Sequence, residues 1–160
     1  MQNEKAKLFV SIENLQDELI SLNNYIHGNP ELGNNEYKAV DMITKSLSMH
    51  DFDIAKGTCG LPTAFVATYK NGIGGPVIGL LCEYDALEKL GHACGHNLQA
   101  PTILGAAFAL KNHIGDYPVT IKVIGTPAEE TTSGKIPMTE AGLFDDLDVA
   151  LMMHGEKHWV

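Results

Sequence analysis

Gly79-Leu80-Leu81-Cys82-Glu83-Tyr84-Asp85-Ala86-Leu87, followed by Gly91-His92-Ala93-Cys94-Gly95-His96-Asn97, is the stretch that decides the fold. The apolar run Val77 to Cys82 predicts a buried strand, and it ends on Glu83 and Asp85, two carboxylates that alternate about Tyr84. A strand that delivers carboxylates at its end is building a site. His92, Cys94 and His96 follow in a glycine-flanked loop and offer the imidazole and thiolate donors that zinc and related transition metals accept.

Working outward, the same device recurs. Val119 to Gly125 predicts another apolar strand, and it feeds Thr126-Pro127-Ala128-Glu129-Glu130, again with carboxylates past the strand end. A polar loop over Thr131 to Gly134 and a short helical piece to about Ala141 precede a last strand, Val149 to Met153, which ends on His154. Between the two carboxylate loops, Leu98 to Asn112 reads as a helix with Pro101 in its first turn.

Upstream, apolar residues at Leu8, Ile12, Leu15, Leu19, Leu22 and Ile26 step by three or four and predict one long helix from about Glu4 to His27, ended by Asn29-Pro30. A second helix is expected from about Asn35 to His50, capped by Asn34 or Asn35, with Tyr37, Val40, Ile43 and Leu47 inward. Thr63 to Tyr69 and Val77 to Cys82, joined through Asn71-Gly72 and Gly74-Gly75-Pro76, read as a hairpin. Helices, then a hairpin, then alternating strand and helix predict an α/β fold: a mixed central sheet with helices on both faces. In such a sheet the carboxyl ends of parallel strands converge on one crevice, so Glu83, Asp85, Glu129, Glu130 and His154 are expected to meet there.

Composition bounds the function. The chain has 160 residues with 44% apolar content, enough for one domain with its own core, and no internal repeat or linker is visible. Twenty acidic residues against 11 lysines give a net charge of −9, and there is no arginine, which excludes a basic nucleic-acid groove. No apolar run approaches the roughly 20 residues of a membrane span, and Met1 to Lys7 is too polar for a signal peptide. Cys59, Cys82 and Cys94 lie in unlike contexts that form no disulfide framework, so a soluble protein of the reducing cytoplasm is expected.

Taken singly, each signal has a bland reading. Cys94 near His96 can be a structural loop pair, Glu129-Glu130 a solvated loop end, and His154 a half-buried histidine with one hydrogen bond. A nucleophilic Cys94 activated by a histidine is also open. Together they gather a thiolate, imidazoles and carboxylates whose mutual repulsion a metal resolves. His27, His50, His113 and His158 read as surface or capping residues, Cys82 as a packing residue and Cys59 as a loop thiol. His92 is left between a ligand and a loop-ordering hydrogen bond.

Tyr25 to Gly33 with Glu36, then Glu83 to Leu87, Gly91 to Asn97, Gly125 to Glu130 and Met152-Met153-His154 resemble, in order, the motifs of the metal-dependent amidohydrolases. That family groups aminoacylases, carboxypeptidase G and the indole-acetyl-amino-acid hydrolases, with a zinc-exopeptidase-like catalytic domain. Glu83-Tyr84-Asp85 and Asn97 are similar to its aminobenzoyl-glutamate hydrolase and dipeptidase-like branch.

The resemblance implies that Cys94, His96, Glu130 and His154 hold two divalent metal ions (Zn2+ or Mn2+), the thiolate being shared. It implies that Glu129 is the general base and that Asp85 supports the site from behind. Glu83 stands where many relatives have histidine and is unassigned. After His154, where relatives commonly have proline, Gly155-Glu156-Lys157-His158-Trp159 departs from the pattern.

The implied reaction is hydrolysis of an amide bond in an N-acyl, aminoacyl or aminobenzoyl amino acid or a dipeptide. Paired metal ions polarise the carbonyl and lower the pKa of water, and Glu129 moves its proton to the leaving amine. A second reading is a metal-binding or partner-binding domain without turnover, which retention of Glu129 argues against, because a purely structural site needs no free base. The third, Cys94-dependent hydrolysis, is separated by insensitivity to chelator. By resemblance, residues 1–160 correspond to the N-terminal part of the catalytic domain. The lid or dimerisation domain and the returning catalytic segment are then expected to be missing, along with a further histidine ligand and a homodimer contact.

Overall fold

The computed structural model describes residues 2–155. Its α-helices are α1 (Gln2–Glu13), α2 (Gln16–Gly28), α3 (Tyr37–Met49), α4 (His96–His113) and α5 (Lys135–Glu140), and its strands are β1 (Asp53–Lys56), β2 (Phe65–Asn71), β3 (Val77–Cys82), β4 (Val119–Gly125) and β5 (Val149–Leu151). The strands form one mixed sheet in the order β1-β2-β4-β3-β5. Strands β4, β3 and β5 run parallel to one another, while β2 lies antiparallel to β4 and β1 antiparallel to β2.

Helices cover both faces, unequally. One face carries the main core, in which Leu22, Ile26, Val40, Ile43, Leu47, Leu104 and Phe108 of α2, α3 and α4 pack on Ala67, Leu80, Ile121 and Val123 of the sheet. The other carries a smaller cluster, Ala64, Ile124 and Met138, with Leu143, Phe144 and Leu147 against it. None of the described helices is long and apolar enough to cross a membrane.

The predicted N-terminal helix is two helices, broken at Asn14–Leu15, where the Leu15 N–H turns back to the Ile12 carbonyl at 3.0 Å. The break lets both α1 and α2 lie on α4. The expected Asn34 or Asn35 cap is replaced by Glu31, whose carboxylate accepts the Lys38 and Ala39 N–H groups at 2.9 and 3.0 Å. A carboxylate on free N–H groups of a first turn has the favourable sign against the helix dipole. Tyr37, expected inward, is 52% exposed, and Ala39 and Thr44 join the buried face instead.

The hairpin expectation fails, because β4 inserts between β2 and β3 and pairs with both. Pro76 accepts the Thr120 N–H at 2.9 Å, so the glycine-rich turn leads past the start of β4 rather than closing a two-strand ladder. Helix α4 starts two residues earlier than predicted. His96 is therefore its first residue, and Pro101 lies in the second turn rather than the first.

Candidate metal centre

The chain leaves β3, crosses through α4 into β4 on one side, then returns across α5 to β5 on the other side of β3. Connections that depart in opposite directions leave a crevice beyond the carboxyl ends of the strands. Into it run Glu83 and Asp85 after β3, Glu129 and Glu130 after β4, and His154 after β5. Cys94 enters from the loop before α4 and His96 from the first residue of that helix, and between them Gly95 takes φ +87°, a left-handed turn that sets His96 at the helix start.

Two donor clusters share His96. Cys94, His96 and His154 present one ligand atom each within 4.8 Å of one another, and so do His96, Glu129 and Glu130. Cys94 Sγ stands 3.6 Å from His154 Nε2, and the His96 and His154 rings meet edge to face at 5.5 Å. The sequence-predicted residues are thus brought together. Asp85 lies behind them, fully buried, with Oδ1 at 3.0 Å from His96 Nδ1 and Oδ2 accepting the Glu130 N–H at 2.9 Å.

With two oxygens of Asp85 facing Nδ1, that nitrogen carries the proton of the neutral ring, whose Nε2 then presents its lone pair to the crevice. Nε2 of His96 and Oε1 of Glu130 are buried without a hydrogen-bond partner. Buried polar atoms left without partners are costly, and both belong to the donor clusters, so the site fits a bound cation.

The carboxylates dominate the electrostatics of the site. Burial raises the Asp85 pKa, but the His96 hydrogen bond and the Glu130 N–H outweigh it and hold the carboxyl below its ordinary value. For His96, burial works toward the neutral ring, and Asp85 with Glu83 turns the balance upward. The Glu130 carboxylate, then burial and the charges of Glu129 and Glu83, push the Cys94 thiol up to about 12. That is opposite to what a nucleophilic thiolate requires, and it is what a thiol among carboxylates does until a cation joins them.

His92 belongs to neither cluster. Its ring faces the Ile26 carbonyl, yet both nitrogens are buried and make no hydrogen bond of normal geometry, and burial, with the neighbouring His96, lowers its pKa. Cys82 is fully buried, as expected of a packing residue. His50, read as a surface residue, is half-buried instead, stacked on Phe108 at 3.7 Å and bound to Glu18 at 3.0 Å. His158 and the departure at Glu156 to Trp159 lie outside the described residues.

Several supporting residues were not assigned from sequence. Glu31 accepts the Ala86 N–H on its carbonyl at 2.8 Å, which ties the segment before α3 to the Asp85 loop. Gly33 lies so close to the loop after β4 that an added Cβ would meet Thr131 Oγ1 at 2.2 Å and Ala128 Cα at 2.9 Å. The buried Glu36 carboxylate accepts from Ala128 N–H and from the Thr63 hydroxyl, both at 2.7 Å. Gln99 and Lys135 hold Glu83. The sequence signal for the first three is the resemblance of Tyr25 to Gly33 with Glu36 to a family motif, which names no distant partner for any of them.

Residues 78–159 match the family model described as peptidase family M20/M25/M40. The chain is 39% identical to the mouse Xaa-Arg dipeptidase over 94% of its own length and 38% of that protein's. It is 35% identical to a p-aminobenzoyl-glutamate hydrolase of Escherichia coli, over 82% of this chain and 31% of that one. A solved structure described as a dinuclear metal binding peptidase of the M20 family, from Bacillus subtilis, superposes with a TM-score of 0.80 at 26% identity, covering 90% of this chain and 44% of that one. The chain therefore spans less than half the length of these relatives.

Proposed function

Because the chain belongs to peptidase family M20/M25/M40, we propose that the protein it represents hydrolyses amide bonds, in dipeptides or in N-acyl or aminobenzoyl amino acids. Cys94, His96, Glu130 and His154 would hold two divalent ions, Zn2+ or Mn2+. The observation that carries this reading is the pair of three-residue donor clusters sharing His96, with His96 Nε2 and Glu130 Oε1 both buried and unpartnered. Bound there, such ions supply Lewis acidity toward an amide carbonyl and toward water.

The chain's own residues divide the remaining work. Asp85 keeps the proton on His96 Nδ1 and fixes the Glu130 backbone, which aims both side chains into the crevice. Glu129 stands in the second donor cluster beside Glu130 but is assigned to proton transfer rather than to the ions, and it takes a proton from the attacking water. That proton passes to the amine nitrogen as the C–N bond breaks and the carboxylate product forms. Residues 1–160 are read as the N-terminal part of the catalytic domain, in a homodimer and in the cytoplasm. The relatives' greater length supports the first part of this, and three free cysteines support a reducing compartment.

Metal analysis with paired variants tests the roles. Glu129→Gln is expected to retain metal while kcat toward a dipeptide falls at least about a hundredfold, and Glu130→Gln to lose metal. Equal metal loss in the two variants would refute this division.

A further inference from the structure

Glu83 is a carboxylate with no assigned role, 1% exposed, at the end of β3. Its Oε2 accepts from Gln99 Nε2 at 2.9 Å and its Oε1 from Lys135 Nζ, while the Glu83 N–H returns to Gln99 Oε1 at 2.5 Å. Gln99 lies one helical turn beyond His96 on α4, and Lys135 is the first residue of α5, directly after the loop that carries Glu129 and Glu130. Oε2 stands 3.4 Å from His96 Nε2, the nitrogen whose lone pair faces the crevice, with no hydrogen bond between them.

Two electron-rich atoms at that distance repel unless a positive charge serves both. Lys135 supplies that charge to the carboxylate from its other oxygen, Oε1, and Gln99 donates to Oε2 itself. We propose that Lys135 and Gln99 are positioning residues that hold Glu83 as a spectator. By engaging both oxygens of the carboxylate they keep it out of the metal donor set and leave His96 Nε2 to the ion. The inference rests on the metal-site reading above. Its distinctive consequence is that Lys135 acts as a resident cation beside the site, so removing it frees Glu83 to become an additional oxygen ligand.

The test is isothermal titration of the purified metal-free protein with MnCl2 and with ZnCl2, read as affinity and stoichiometry. Lys135→Met is expected to tighten Mn2+ binding by about tenfold or more, and Zn2+ by less, because a freed carboxylate adds charge and suits the harder ion. Glu83→Gln leaves Lys135 without its counter-charge beside the ion and is expected to weaken both by about tenfold. The double variant, which removes one charge of each sign, is expected to return close to the unsubstituted protein, and Lys135→Arg likewise.

Unchanged affinity in Lys135→Met and in Glu83→Gln would reduce the pair to a structural ion pair and overturn the proposal. Weaker binding in Lys135→Met as well as in Glu83→Gln would make Glu83 an ordinary ligand and overturn it too. If Lys135→Met does not fold, recovery of affinity from Glu83→Gln to the double variant supports the proposal, and failure to recover overturns it. An unsubstituted protein that takes up neither ion refutes the metal site itself, a result distinct from either failure above.

Discussion

Replacing Glu36 by alanine is expected to destabilise the protein by about 3–5 kcal/mol, although Glu36 is no part of the donor clusters. Its carboxylate is fully buried and accepts two short hydrogen bonds, from Ala128 N–H and from Thr63 Oγ1, at 2.7 Å each. The Thr63 carbonyl in turn accepts the Tyr84 hydroxyl at 2.6 Å, so one side chain links the start of α3, the approach to β2, the Glu83–Asp85 segment and the loop bearing Glu129. Alanine orphans two buried donors, and each costs about 1–3 kcal/mol, with a further contribution from the emptied volume. Against a total of about 5–15 kcal/mol this is a large loss.

Glutamine is the control. Its carbonyl can accept from Ala128 while its amide donates to a rotated Thr63 hydroxyl, so the cost should stay below about 1 kcal/mol. Burial raises the Glu36 pKa despite these hydrogen bonds. A carboxyl raised in the folded state contributes stability that is fully present below its unfolded value and is lost as pH rises through the folded one. Glu36→Gln should therefore gain on the unsubstituted protein between pH 4 and pH 8. Urea denaturation followed by circular dichroism at both pH values measures all three proteins. An alanine variant as stable as the glutamine variant would refute the linchpin role.

Two further perturbations probe the scaffold. Glu18 joins α2 to α3 through Ser46 Oγ at 2.6 Å and His50 Nε2 at 3.0 Å; burial raises its pKa, but these partners lower it further, to a net depression. Its stabilisation is then present above its unfolded value and lost as pH falls through the folded one, so Glu18→Gln should cost about 1 kcal/mol at pH 7 and almost nothing at pH 3 in urea midpoints. An equal cost at both would show that the ionised carboxylate is not what matters. Gly33→Ala should destabilise by about 1–3 kcal/mol, because its Cβ would collide with the backbone of Ala128, and should loosen the Glu129–Glu130 loop as read by amide hydrogen exchange. Unchanged exchange in residues 126–131 would refute the contact.

What the sequence made legible is uneven for physical reasons. Strands β3 and β4 are found at their predicted bounds because each is an apolar run closed by a sharp change in chemistry, Cys82 to Glu83 and Gly125 to Thr126. Strand β1 was missed because Asp53-Ile54-Ala55-Lys56 is a largely exposed edge with no continuous apolar signal. The donor residues were legible because their chemical types are distinctive and they follow strand ends. Gln99 and Lys135 were not, and Glu36 was marked only by its place in a motif, since a carboxylate, amide or ammonium looks like any surface residue until its partner is known.

The misread hairpin shows why the site survived an error in the sheet. Inserting β4 between β2 and β3 changes which strands are neighbours, but it does not change the direction of β3, β4 or β5. Direction alone decides at which edge of the sheet each strand ends, and three parallel strands end at the same edge whatever their order. Glu83 and Asp85, Glu129 and Glu130, and His154 were therefore bound for one crevice once the strands were read as parallel. Order decides something finer: with β3 between β4 and β5, the segment of Glu83 and Asp85 leaves the sheet between the loop of Glu129 and Glu130 and the segment of His154. Asp85 can then hold His96 from behind while Glu83 needs Lys135 to keep it aside.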